Sequence, residues 1–120
     1  MIYLVAGCLM FATSNLVTFS GALQRSKDIA SRIPGEGIIA VLNGMMIRPS
    51  RLAVMEKGKV PCLWILGSMD NYIPCEFIQT MINLPANARV VVLKNSGHMG
   101  FIEEENLSVN LVREFVRRLL

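Results

Sequence analysis

The chain is 120 residues long, 52% hydrophobic and only 18% charged, with a mean hydropathy of +0.46. That composition excludes an intrinsically disordered polypeptide, and the length fits one domain or a piece of one. The net charge of +3 comes from 12 Lys and Arg against 9 Asp and Glu, scattered except for Arg117-Arg118. No basic stripe with interleaved aromatics is formed, so a nucleic-acid partner is not expected.

Met1 to Gln24 carries no charged side chain. Its apolar run ends near Ala12, short of the roughly 20 residues that a membrane span needs. A signal peptide would need a positive n-region, which is missing. Val5-Ala6-Gly7-Cys8 resembles a lipoprotein cleavage site, but only seven residues precede Cys8. A buried segment behind an internal or reannotated start at Met1 is expected, and no membrane partner; an anchor over Met1 to Leu23 is the minor alternative. Residues 15–33 predict a helix with Ser14 or Asn15 as N-cap, because Leu16, Phe19, Leu23, Ile29 and Ile33 recur at helical spacing and Pro34-Gly35 ends it. A second helix is expected over 36–46, apolar on most sides, where the Met45-Met46 pair reads as core. A third, over 51–57, has Ser50 as its cap and Gly58 as its stop.

The texture changes at Lys59. Val60 to Leu66 is a nearly unbroken apolar run of strand length, which suits a parallel strand covered on both faces. Residues 67–72 form a turn, and 74–84 a helix opened by Pro74. Arg89 to Leu93 is a second strand, and residues 94–100 are a loop. A long amphipathic helix is expected over 103–120, with Leu107, Leu111, Val112, Phe115, Val116 and Leu119 on one stripe. Its N-terminal glutamates 103–105 and C-terminal arginines complement the helix dipole. Strand, helix, strand, helix is a right-handed parallel crossover unit. Two strands do not make a stable sheet alone, so the chain reads as part of something larger.

In such sheets chemistry gathers at the carboxyl ends of the strands. His98, the one histidine, follows the second strand, and Asp70 follows the first. If the strands are neighbours, their ends lie about 5 Å apart. A carboxylate that accepts the Nδ1–H of an imidazole fixes the tautomer and leaves Nε2 free as a base. The plainer alternatives are a solvated histidine, an Asx turn at Asp70-Asn71 and a solvated Asp28. The glutamate run reads as helix-end charge. One histidine and three dispersed cysteines do not make a metal site, and no Gly-rich phosphate loop follows a strand, so no cofactor is expected. The odd, unpaired cysteines Cys8, Cys62 and Cys75 suit reduced thiols in a cytoplasmic protein.

Pro61-x-Leu-x-Ile-x-Gly67-x-x-Asp70-x-x-Ile73-Pro74, then Val90 to Leu93, then Ser96-Gly97-His98-x-x-Phe101-x-Glu103, resembles the carboxyl-terminal end of the α/β-hydrolase superfamily. The resemblance covers Lys59 to Leu120. It implies an α/β fold with a partial doubly wound sheet in 59–120 and a helical cap or lid in 1–58. It also implies that Asp70 is the acid and His98 the base of a catalytic triad that hydrolyses an ester or related bond of a small apolar substrate. The departure is the nucleophile. Family order is nucleophile, acid, histidine, with the nucleophile in a Gly-x-Ser-x-Gly elbow, and none of the eight serines has the flanking glycines. The elbow, the oxyanion-hole loop and the first strands are expected to lie before Met1, and the chain alone to be inactive. Whether the nucleophile is Ser or Asp stays open. The competing expectation is a non-catalytic protein whose apolar surface is covered by a partner or a second copy through open sheet edges.

Overall fold

The computed structural model describes residues 10–81 and 83–120. The expectations for Met1–Leu9, Cys8 included, lie outside the described residues. A 3₁₀ turn at Thr13–Asn15 leads into helices α1 (Ser20–Ser31), α2 (Gly35–Ile47) and α3 (Leu52–Glu56). Then come strand β1 (Cys62–Gly67), α4 (Cys75–Met81), strand β2 (Ala88–Leu93), a short α5 (Gly100–Glu103) and α6 (Glu105–Arg117).

β1 and β2 pair in parallel, with Cys62 opposite Ala88 and Gly67 opposite Leu93. Equal lengths and a flush register bring both carboxyl ends to one level, which fixes where the two following loops emerge. The pairing runs on past the strands: Ser68 N–H donates to the Leu93 carbonyl and Met69 N–H to the Ser96 carbonyl, each at 2.9 Å. Gly67 is required at this junction, because a Cβ there would collide with the carbonyl oxygens of Ser96 and Gly97.

The core is small. Phe11, Ala22 and Leu23 pack with Met10, Leu16, Phe19, Met99 and Ile102, and the Phe11 and Phe19 rings stack with centroids 6.2 Å apart. Leu93, at the end of β2, is 1% exposed. Most residues of both strands are half-buried rather than covered on both faces, as the unbroken apolar runs had suggested. The stripe of α6 forms as expected, yet of its residues only Leu111 is fully buried; Leu107, Val112, Val116 and Leu119 stay open. Two strands offer too little surface to cover an entire helix face. The Met45-Met46 pair is a correction: these side chains are 64% and 82% exposed, on an α2 without a buried residue.

Three helix ends depart from expectation. α1 starts at Ser20, and Asn15 caps nothing, because its amide is drawn to distant acceptors described below. Arg51, not Ser50, stands at the N-cap of α3. The long last helix is broken at Glu104 (φ −129°, ψ 56°) into α5 and α6. Among the described residues no helix is long and apolar enough to cross a membrane.

Candidate functional site

The structure brings Asp70 and His98 together. His98 Nδ1 lies 2.8 Å from Asp70 Oδ2. The carboxylate can only accept, so the proton of a neutral imidazole belongs on Nδ1, and Nε2 keeps its lone pair. The other carboxylate oxygen, Oδ1, accepts the backbone N–H groups of Tyr72 and Ile73, both at 2.8 Å. The Asx turn and the histidine contact are therefore one arrangement rather than alternatives. The turn fixes the rotation of the carboxylate, and the fixed carboxylate aims its free oxygen at the ring. Exposure follows the same division: the Asp70 side chain is 7% exposed and that of His98 32%. The carboxylate is held inside, and one side of the imidazole faces out. The Tyr72 ring meets the imidazole edge-on, with centroids 5.4 Å apart at 67°.

The loop that carries His98 is bound on both sides of the ring. Gly97 N–H donates to Glu103 Oε1 at 2.8 Å, and Met99 N–H donates to the Met10 carbonyl at 3.0 Å. Glu103 Oε2 accepts from Ala12 N–H at 2.9 Å and from the Asn15 amide at 2.7 Å. Asn15 also donates to the Asn95 carbonyl at 2.6 Å. Glu104 Oε2 accepts from the Ser96 hydroxyl at 2.6 Å and from Asn95 N–H at 2.9 Å. Ser96 is fully buried. Two of the three glutamates thus turn back onto the loop, and only Glu105 remains in the first turn of α6 as dipole charge. The reading of 103–105 as helix-end charge is corrected for the first two. Sequence reasoning also missed Asn15, Ser96 and Tyr72. The one signal available was the Glu103 position inside the Ser96-to-Glu103 pattern.

A groove of about 440 Å³ opens beside the imidazole, lined by Ile65, Leu93, Phe101, Val109 and Val112 together with small residues of the loop. Ser68 lies close in sequence, but its hydroxyl donates to the Lys94 carbonyl at 2.7 Å. Cys62 and Cys75 are free thiols. Burial, reinforced by the neighbouring Glu76 carboxylate, pushes the Cys75 thiol above its ordinary value of 9.0. Among the described residues no cluster of three or more His, Cys, Asp or Glu could hold a metal ion.

No protein-family model matches the sequence, and no curated protein does. Solved structures do match. A thermophilic esterase from Thermogutta terrifontis, with malate bound, superposes with a TM-score of 0.89 over 98% of this chain and 43% of its own, at 21% sequence identity. An esterase from Exiguobacterium antarcticum gives a TM-score of 0.72 over 92% of this chain and 40% of its own, at 22% identity. The chain therefore spans about two fifths of the length of these esterases, whose matched shares are 43% and 40%. What it shares with them is architecture: the parallel strands, their crossover and the flanking helices have the α/β-hydrolase fold.

Proposed function

We propose that this chain is part of a hydrolase that cleaves an ester or related bond in a small, largely apolar substrate. In this reading His98 is the general base and Asp70 orients it. The observation that carries it is the double use of one carboxylate, with Oδ1 held by two backbone N–H groups and Oδ2 at 2.8 Å from the imidazole. That geometry leaves Nε2 as the nitrogen that takes a proton from a nucleophile and later returns it to the leaving group. The carboxylate stabilises the imidazolium formed in between. The apolar lining of the groove beside His98 supports the choice of substrate.

The 120 residues hold no Gly-x-Ser-x-Gly or Gly-x-Asp-x-Gly turn. A base and its orienter without a nucleophile cannot form a covalent acyl intermediate. The nucleophile and the oxyanion donors then come from polypeptide beyond these residues, and within the expected cap segment helices α1 to α3 cover the substrate, whereas residues 10–15 belong to the seam with the His98 loop. Free thiols at Cys62 and Cys75 suit a cytoplasmic setting.

The test has two arms. The 120-residue chain alone should hydrolyse p-nitrophenyl butyrate at the buffer rate. A chimera that joins the chain to the part of the Thermogutta terrifontis esterase outside the matched 43% should turn over, and His98→Ala should lower kcat by about 10³-fold or more. A folded chimera that keeps its rate without the imidazole would overturn the reading.

A second reading, a non-catalytic association module, is favoured by α2. Ile39, Val41, Leu42, Met45, Met46 and Ile47 are all more than half exposed on it. A patch of that kind marks an interaction surface in a soluble protein. Size-exclusion chromatography separates the two, since the module predicts a stable dimer or complex and the hydrolase part does not need one.

A further inference from the structure

We propose that Glu103 is a positioning residue for His98, acting through the backbone of the loop and not by touching the ring. The proposal rests on the reading of His98 as the base. Its ground is the set of partners on the Glu103 carboxylate. Oε1 accepts Gly97 N–H, the peptide nitrogen one residue before His98, at 2.8 Å. Oε2 accepts Ala12 N–H at 2.9 Å and the Asn15 side-chain amide at 2.7 Å. All three partners are donors, so only a group with two accepting oxygens satisfies them. Hydrogen bonds to an ionised acceptor are among the strong ones, and these are partly buried.

The carboxylate thereby joins two pieces of chain that are far apart in sequence. On one side is the 10–15 segment, which also accepts Met99 N–H at the Met10 carbonyl. On the other is the peptide that leads into His98. The seam is close-packed as well as bonded: a Cβ on Gly97 would stand 2.5 Å from Ala12 N and 2.7 Å from Phe11 C. With its backbone held at residues 97 and 99, the loop presents the imidazole to Asp70 at one distance. Loosening the seam lets residue 97 rotate, and the ring swings off the carboxylate. Asn15 is part of the same device, because it donates at once to Glu103 and to the Asn95 carbonyl at the start of the loop.

The experiment reads the ring nitrogens. His98 is the only histidine, so the imidazole signals in long-range ¹H–¹⁵N correlation spectra of the uniformly labelled 120-residue chain come from it alone. The wild-type ring should carry its neutral-state proton on Nδ1; a proton on Nε2 would sink the general-base reading itself, separately from the role of Glu103. Glu103→Gln places an amide N–H₂ against a donor at one end. The Nδ1–H signature should be lost or shift to a tautomer mixture while far-UV circular dichroism keeps the native helix content. Glu105→Gln, on the exposed first turn of α6, should leave the signature unchanged. If Glu103→Gln does not fold, Asn15→Ala decides. It removes one of the three donors and keeps the carboxylate, and it should shift the signature in the same direction by a smaller amount. A folded Glu103→Gln chain with the wild-type signature overturns the proposal. So does an unchanged signature in Asn15→Ala when that variant decides, or an equal shift in Glu105→Gln.

Discussion

Asp70→Asn is the substitution whose outcome the geometry constrains most tightly. The new amide has one accepting oxygen and one donating nitrogen, and two places to put them. On the turn side wait two backbone donors, Tyr72 N–H and Ile73 N–H, both at 2.8 Å. Turning the nitrogen toward them would forfeit both bonds, at about 1 kcal/mol each, and leave donors facing donors. The oxygen therefore stays on the turn, and the N–H₂ group faces His98 Nδ1 across the former 2.8 Å contact. That nitrogen must now accept, so the ring proton moves to Nε2. A hydrogen bond to a charged acceptor is worth roughly 1.5–3 kcal/mol and a neutral one roughly 0.5–1.5, a difference of about 1–2 kcal/mol. His98 is about one-third exposed (32%), so the lower end applies to stability. The effect on chemistry is larger, since the nitrogen that should accept a proton already holds one. In an assembled active site kcat should fall by about 10⁴-fold. Long-range ¹H–¹⁵N spectra of wild type and variant at neutral pH read the tautomer directly. Finding the same nitrogen protonated in both would refute the reasoning.

Gly97→Ala should destabilise the fold by about 1–3 kcal/mol, read as a lower urea midpoint of unfolding, because the added methyl meets backbone atoms of Phe11 and Ala12 that cannot step aside. Leu93→Ala, at a side chain 1% exposed, should cost about 2–5 kcal/mol in the same measurement, and a loss below 1 kcal/mol would show that the strand end is not packed. Cys75 should react with iodoacetamide more slowly than the half-buried Cys62 at pH 8, as peptide mass spectrometry can score, since its thiol is held above 9.0. The sign for stability follows: the folded chain keeps that proton longer than the unfolded one, so the contribution is complete below pH 9 and fades as pH rises through the folded value.

The strands and the pair at their ends were legible because each rests on local pattern. Apolar runs bounded by Pro61 and Gly67 and by Ala88 and Leu93 give β1 and β2 within a residue or two, and parallel pairing then places residues 70 and 98 at one edge. What escaped is held by specific side-chain contacts that residue propensities do not express. Asn15 scores as an N-cap by composition, yet its amide is taken by a glutamate 88 residues away. Glu103 and Glu104 score as first-turn charge, yet their oxygens turn back to residues 95–97, and the helix breaks at Glu104 to let them. In both cases a specific hydrogen bond to a carboxylate outweighed an intrinsic preference worth a few tenths of a kcal/mol to about 1 kcal/mol. The open faces of α2 and α6 were not legible as open, because an apolar stripe states that it wants cover and not whether cover is at hand.

The loop that bears the imidazole closes on itself. Its bonds to Glu103 and Glu104 span six to nine residues, whereas the contact to Asp70 spans 28. Short closures cost little chain entropy, so the bonds within residues 95–104 are the cheap ones, and the bonds to the 10–15 segment, which span 80 residues and more, carry most of the closure cost. A mutation at the acid turn and one within the loop should accordingly fail in different ways, the first by losing the aim of the carboxylate and the second by losing the loop's own short bonds.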